Sequence, residues 1–205
     1  MTRHFTGWPR QAYDVLLGLE GLPSNETRER LRQDRERLVR RPMIDLLNDL
    51  AGDNPRYADF SVWSYGKDPF WWQHQGGIIR IARCVEYVVR FDLDGLHVKG
   101  AWHYPDPGQV PRYRAAVHHS GRELAALLDS LRAKDYDITG DVMKRMPREY
   151  PADHPYADLL RHRTLVAGRT LSNEDCLWTA EALAWLAERA EELDDLMDWL
   201  AGAVA

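Results

Sequence analysis

Apolar residues alternate with polar ones in the middle of the chain, and this period of two predicts β-strands. The apolar positions over 85–91 are Val85, Tyr87, Val89 and Phe91. Asp94-Gly95 follows as a turn, and the alternation resumes at Leu96. We therefore predict an antiparallel hairpin, with further strands over 60–65, 78–84 and 165–166. Two arrangements are open for residues 78–91, which form either two strands or one long bent strand.

On either side of this block, apolar residues recur at helical spacing. The pattern predicts a short helix after Pro9, a helix over 24–52 that Pro42 kinks, a long helix over 110–131, and shorter helices over 141–146 and 155–162. A last helix is expected to begin at Ser172 and run to the end of the chain. Its apolar seam packs either on the body of the protein or on a second copy, and consists of Leu183, Leu186, Ala190, Leu193, Met197 and Leu200.

Helices before and after a run of sequential strands favour an antiparallel sheet that is covered by helices. The predicted fold class is α+β, with about four or five strands packed against several helices and a long C-terminal helix. Because no linker-like stretch divides the 205 residues, we predict a single domain over residues 1–205.

Composition excludes several classes of protein. The formal net charge is −5, and the chain has neither a long apolar run nor paired cysteines, since Cys84 and Cys176 are far apart. We expect a cytoplasmic protein that neither crosses a membrane nor carries structural disulfides. Seven arginines fall within 28–41 and nine acidic residues within 174–198, which we interpret as solvated helix faces. The acidic balance makes nucleic acid the least favoured partner.

Signature motifs for common chemistries are missing. The sequence contains no GxxxxGK[ST], GxSxG or HExxH pattern, and Gln75-Gly76-Gly77 is interpreted as a turn. His154, Asp158 and His162 are spaced four apart and would share one helix face, but capping or surface roles are favoured over metal binding. We predict no metal and no cofactor. Cys84, in a strand, and Cys176, beside a helix start, are both expected to be buried structural thiols.

Tryptophans and other aromatic residues are dense around the predicted strands. Trp71 and Trp72, with Trp102 and its neighbour His103, could wall a pocket for a planar or cationic ligand. Other members of that wall would be Trp63, Tyr65, Lys67, Asp68, Gln73 and His74. The alternative is that these rings fill the core.

The segment with the most specific pattern runs from Lys144 to Pro155 as KRMPREYPADHP and is followed by LLRHR over 159–163. It resembles the DUF2461 family of bacterial proteins of unknown function. Three further stretches are similar to the same family: Phe5-Thr6-Gly7-Trp8 resembles its opening, Arg41-Pro42 its early helix, and GAWHYP over 100–105 the turn after its hairpin. Lys67-Asp68 lacks the second lysine that the family usually has there, which indicates a divergent member.

Five cations surround the proline-rich turn of this segment, namely Lys144, Arg145, Arg148, Arg161 and Arg163. Such a cluster can hold carboxylate or phosphate groups, and His154 or His162 could transfer a proton beside it. The alternative is that the cations form ion pairs with the acidic last helix.

Two functions are open. The first is binding, or transformation, of a small anionic or planar ligand between the tryptophans and the basic turn. His154 and His162 are its candidate catalytic groups. The residues expected to bind the ligand are Lys144, Arg145, Arg148, Arg163, Trp71, Trp72, Trp102 and His103. The second is a non-enzymatic interaction protein that forms a homodimer or binds a protein partner through its C-terminal helix. The sequence leaves open whether the protein is an enzyme.

Overall fold

The computed structural model describes residues 4–64, 66–172 and 174–205. The helices are α1 (Gln11–Leu17), α2 (Asn25–Asp34), α3 (Arg41–Asp53), α4 (Gln109–Arg132), α5 (Ala157–Leu160) and α6 (Glu181–Val204). The strands are β1 (Phe60–Val62), β2 (Gln75–Ala82), β3 (Val85–Asp92), β4 (Gly95–Trp102), β5 (Asp137–Thr139) and β6 (Leu165–Leu171). A π-helical segment joins α2 to α3 (Arg35–Arg40), and short 3-10 turns lie at Pro55–Tyr57, Pro69–Trp72 and Asp175–Trp178.

The six strands form one antiparallel sheet in the order β1-β2-β3-β4-β6-β5. This arrangement confirms the α+β class, the hairpin of β3 and β4, and the long C-terminal helix. Residues 78–91 form two strands, because Cys84 adopts a φ of 64° and turns the chain between them. The interpretation of Cys84 as a strand residue was therefore wrong. None of the helices in the described part of the chain is long and apolar enough to cross a membrane.

Several element boundaries differ from the prediction. Gly76 and Gly77 lie inside β2, where Gly77 pairs with Val62 of β1, so the interpretation of this stretch as a turn was wrong. Glycine is required at both positions because a side chain at Gly76 would meet the Trp63 ring and one at Gly77 would meet Leu47. No helix forms over 141–146; instead Val142 pairs with His162 in an isolated bridge. The predicted helix over 155–162 shrinks to the four residues of α5, and α6 begins at Glu181, not at Ser172. Strand β1 ends at Val62, and the predicted strand residue Tyr65 lies outside the described residues.

The chain divides into two compact units. The first comprises residues 1–79, 88–98 and 170–189, and in its core Trp8 stacks on Phe91 with ring centroids 4.4 Å apart. The second comprises residues 80–87, 99–169 and 190–205, where Trp102 stacks on Tyr113 at 4.7 Å. The single domain over residues 1–205 stays a prediction.

The apolar seam of α6 is buried within the chain. Its six predicted members are at most 1% exposed, and they are Leu183, Leu186, Ala190, Leu193, Met197 and Leu200. The seam therefore packs on the body of the protein, which was one of its two predicted roles.

Candidate functional site

In the first unit, the buried guanidinium of Arg35 organises the loop that precedes β2. Arg35 is 1% exposed and lies at the start of the π-helical segment. It donates hydrogen bonds to the carbonyl oxygens of Trp71 (3.1 Å), Trp72 (3.1 Å) and His74 (2.6 Å) and to Oε1 of Gln75 (3.1 Å). One charged side chain thus satisfies backbone oxygens that would otherwise be buried without donors.

The two tryptophans that precede β2 lie in a 3-10 turn, Pro69–Trp72. Asp68 caps this turn by accepting a hydrogen bond from the Phe70 N–H at 2.9 Å, and Pro69 occupies its first position. Trp72 is 7% exposed and donates from its indole N–H to the Gly66 oxygen at 3.0 Å, whereas Trp71 is 40% exposed. The turn therefore buries one ring and presents the other at the surface.

A groove of about 630 Å³ opens between α2 and this loop. We call it the α2 groove; its walls are formed by Asn25, Arg28, Glu29, Arg32, Gly66, Lys67 and Trp72. Three of these side chains are cations and only Glu29 is an acid, so the groove carries a formal excess of positive charge.

Arg28 is held in place in the groove by uncharged partners. Its Nη1 donates to the Lys67 carbonyl oxygen at 2.7 Å, its Nη2 donates to Oδ1 of Asn25, and its guanidinium lies 5.8 Å from the centre of the Trp72 ring. Among the described residues, neither Arg28 nor Lys67 forms an ion pair with a carboxylate. In the described part of the chain, the positive charge of this pair therefore has no carboxylate in direct contact.

Arg32 is the third cation of the groove and differs from Arg28 in having an acidic neighbour. Its Nη1 lies 3.4 Å from Oε1 of Glu29, one helical turn away on α2, and both side chains are largely exposed. Exposed pairs of this kind contribute little and exchange readily. This pair leaves the Arg32 side chain largely exposed at the wall of the groove.

His74 follows the aromatic turn and lies among its rings. The Trp63, Phe70 and Trp71 ring centres are 6.1, 4.8 and 5.7 Å from that of His74. Burial, with the nearby charges of Arg90 and Arg35, lowers the pKa of His74 to about 4. The ring is thus neutral at physiological pH and belongs to the packing beside the groove.

In the second unit, the basic turn presents its first three cations to solvent. Lys144, Arg145 and Arg148 are exposed, and within the residues that the structure describes they form no ion pair. Arg163 instead contacts Asp141 at 2.7 Å and Arg161 contacts Asp158 at 2.6 Å. These partners are local carboxylates and not those of the last helix.

The two candidate catalytic histidines have separate partners. Nε2 of His154 lies 2.9 Å from Nδ1 of His118, and its Nδ1 accepts a hydrogen bond from the Tyr156 N–H at 3.1 Å. Nδ1 of His162 contacts the Thr164 oxygen at 2.9 Å, and burial lowers the pKa of this ring. No group of three or more metal-ligating side chains occurs in the described ranges.

Trp102 and His103, the last two predicted ligand-binding residues, both lie in the second unit. Trp102 has no exposed surface and stacks on Tyr113, so it fills the core of the second unit. Nε2 of His103 lies 2.6 Å from Oε1 of Glu86. In their present positions, Trp102 offers no face to a ligand and His103 is occupied by an ion pair when protonated.

The predicted set is divided between the two units: Trp71 and Trp72 lie in the first, and the basic turn, Trp102 and His103 lie in the second. The sequence prediction missed Arg28 and Arg32. Their signal was the run of arginines over 28–41, which we interpreted as a solvated face. Lys67 had been named as part of the aromatic wall and in the family pattern, but not as an anion-binding residue.

No curated protein and no solved structure matches the chain in sequence. Residues 64–199, about two thirds of the chain, match the family described as "Conserved hypothetical protein (DUF2461)". The matched residues include Gly66, Lys67 and Trp72 of the groove but begin after α2. The chain therefore belongs to the DUF2461 family.

Proposed function

We propose that the protein binds a small organic anion in the α2 groove. The observation that carries this proposal is the fixed guanidinium of Arg28, which lines the cavity beside Lys67 without a carboxylate partner in the described residues. A cation that is already held in place loses little conformational entropy when an anion arrives. Its charge-assisted hydrogen bonds then contribute directly to affinity.

Size and lining support a small molecule as the ligand. Pockets for small molecules are commonly about 300–1,000 Å³, and the α2 groove, at about 630 Å³, falls within that range. Trp72 provides an apolar floor, whereas Arg28, Arg32 and Lys67 supply hydrogen-bond donors around it. Of the residues that the sequence analysis expected to bind a ligand, only Trp72 lines this groove, and none of the cations of the basic turn does.

The groove supports binding rather than a particular reaction. The described residues that line it comprise no histidine, cysteine, serine or threonine, and the carboxylate among them, Glu29, lies beside Arg32. The basic turn with His154 stays a prediction for a second anion site. A cytoplasmic location belongs to the proposal as well, and it agrees with the two free cysteines, Cys84 and Cys176.

The competing hypothesis, a partner-binding C-terminal helix, required an exposed apolar seam. Because that seam is buried within the chain, no observation favours this second function.

Calorimetric titration with inorganic pyrophosphate and citrate tests the proposal. We expect at least one of the two anions to bind, and Arg28→Ala to weaken that binding by at least about tenfold, since a hydrogen bond to a charged group contributes roughly 1.5–3 kcal/mol. Added salt should weaken the binding as well, because the contacts are electrostatic.

Arg37→Ala is the matched control. Arg37 is an exposed arginine of the neighbouring π-helical segment, pairs with Asp34 at 2.9 Å and does not line the groove. Its replacement should leave the affinity unchanged. Equal losses in the Arg28 and Arg37 variants, or no binding of either anion by the unaltered protein, would contradict the proposal.

A further inference from the structure

Three polar side chains on neighbouring strands of the first unit form a continuous hydrogen-bonded chain. Oδ1 of Asp92, at the end of β3, lies 2.8 Å from Nε2 of His97 on β4. Nδ1 of the same ring lies 2.9 Å from Oγ1 of Thr170 on β6. An acid, an imidazole and a hydroxyl are thus connected in the order that an activated nucleophile requires.

The proton positions in this chain follow from the charge of Asp92. Burial opposes its ionisation, but the hydrogen bond from His97, the charge of the Arg90 guanidinium and the hydrogen bond from the Asp94 N–H hold the pKa of this carboxyl below its ordinary value. A carboxylate can only accept, so Nε2 of His97 must carry the hydrogen. In the neutral ring Nδ1 is then the acceptor, and the Thr170 hydroxyl donates to it.

Asp92 is fixed on its other side as well. Its Oδ2 lies 2.6 Å from Nη2 of Arg90, and its Oδ1 also accepts from the Asp94 N–H at 2.9 Å. Asp92 is 8% exposed, whereas Thr170 is exposed to solvent. The acid and the base are therefore oriented by their surroundings, and the hydroxyl at the end of the chain is accessible to a substrate.

We propose that Thr170 is a nucleophile that takes acyl groups from small activated esters, with His97 as its general base and Asp92 as the residue that positions His97. The geometry agrees with the roles in an acid, base and nucleophile triad, here with Nδ1 of the imidazole facing the hydroxyl. The site shares no residue with the α2 groove, so it stands or falls independently of the anion-binding proposal.

The reaction proceeds in two balanced steps. Oγ1 of Thr170 forms a bond to the ester carbonyl carbon while its proton passes to Nδ1 of His97. The bond from that carbon to the leaving oxygen then breaks, and the leaving oxygen receives the proton from Nδ1. In the second step water attacks the threonyl ester, Nδ1 again takes a proton, and Thr170 recovers it as the carboxylic acid leaves.

The test uses p-nitrophenyl acetate with the full chain. Release of p-nitrophenol alone does not locate the reaction, because exposed imidazoles also hydrolyse this ester. The readout is therefore the acetyl group itself, mapped by mass spectrometry of peptides after a short reaction. We expect acetylation at Thr170, its loss in Thr170→Ala and its retention in Thr170→Ser.

Thr139 supplies an internal control, because it is exposed at the end of β5 and, among the described residues, has no histidine partner. His97→Gln should slow acetylation of Thr170 by on the order of a hundredfold, the usual contribution of a general base, and leave Thr139 unaffected. Near-ultraviolet circular dichroism shows whether this variant retains the native packing.

Two outcomes would overturn the proposal. The first is acetylation of Thr170 no faster than that of Thr139 in the unaltered protein, which needs no variant at all. The second is unchanged acetylation of Thr170 in a folded His97→Gln protein. Either result would assign Asp92, His97 and Thr170 to a cross-strand polar ladder without chemistry.

Discussion

At the scale of single residues, Arg35 shows how a cation is retained inside a protein. Burying a charge is costly unless its hydrogen bonds are satisfied. Arg35 meets this condition with the carbonyl oxygens of Trp71, Trp72 and His74 and with Gln75, and its π-helical segment places it towards the loop. The side chain thereby holds the loop that forms one wall of the α2 groove.

Arg35→Met should lower the free energy of unfolding by about 3 kcal/mol, because methionine fills the space but leaves buried carbonyl oxygens without donors. Urea denaturation followed by fluorescence measures the change. The control is Arg37→Met, two residues along the same segment, where an exposed side chain should cost less than about 0.5 kcal/mol. Similar losses in both variants would mean that the loop does not depend on Arg35.

The sequence could not single out Arg35 among its neighbours. Seven arginines lie within 28–41, and their spacing is equally compatible with a solvated helix face. What distinguishes Arg35 is its set of carbonyl acceptors on Trp71, Trp72 and His74, which lie more than thirty residues further along the chain. Arg28 escaped prediction for a related reason, since its partner Lys67 is distant in sequence.

At the scale of elements, periodicity predicted the hairpin and the long helices because their apolar faces repeat over many residues. Boundaries depended instead on neighbours in space. Gly76 and Gly77 extend β2 because Trp63 and Leu47 occupy the places where side chains would lie. The turn between β2 and β3 contains Cys84 with a φ of 64°, at a position where neither glycine nor asparagine signals it.

Helix α4 is kinked next to Gly121, against which the ring of Tyr156 packs. Ser120 has non-helical backbone angles, and a side chain at Gly121 would approach the Tyr156 ring to 2.4 Å. The sequence analysis predicted the helix across this position. The sequence alone could not predict the contact with Tyr156, because Tyr156 lies outside α4 and is brought to Gly121 only by the tertiary fold.

Gly121→Ala should therefore destabilise the protein by about 1–3 kcal/mol, the usual cost of overpacking. Gly202→Ala is the matched control, because nothing lies within 4 Å of the added carbon in α6. This second change should raise stability by up to about 1 kcal/mol through helix propensity alone. Thermal unfolding of the two variants should give shifts of opposite sign if the Tyr156 ring packs on Gly121, and shifts of the same sign if it does not.

At the scale of the whole molecule, fold class and family were accessible from the sequence, but the groove was not. The family pattern is local, since its most specific residues follow one another over 144–163. The groove combines α2 with Gly66, Lys67 and Trp72, which are about forty residues further along the chain. Only the tertiary structure brings such segments together, and residue spacing along the chain does not predict which distant segments will meet.

Stability of the whole protein should decrease as the solution is acidified from neutral pH. The His74 ring has a pKa of about 4 in the folded chain but 6.5 as its ordinary value, so the unfolded state binds the additional proton. The loss begins as pH falls below 6.5 and is complete below about 4. Its size is about 3 kcal/mol, at about 1.4 kcal/mol for each pH unit of the shift.

Asp49 acts in the same direction but at lower pH. Burial opposes its ionisation, yet hydrogen bonds from the Phe5 and His4 N–H groups and the His4 side chain hold its pKa below the ordinary 3.8. The stability that it contributes is present above that value and is lost as pH falls through the folded pKa. The losses of stability due to His74 and to Asp49 therefore occur in different pH ranges.

Urea denaturation of the unaltered protein and of His74→Gln, carried out from about pH 7 to about pH 4, distinguishes them. The difference in unfolding free energy between the two proteins should shift by about 3 kcal/mol across that range, in favour of the glutamine variant at acid pH. Asp49→Asn should leave this slope intact, because the loss that Asp49 contributes lies below this pH range. A His74→Gln protein with the same pH dependence as the unaltered chain would show that the imidazole is not held neutral among Trp63, Phe70 and Trp71.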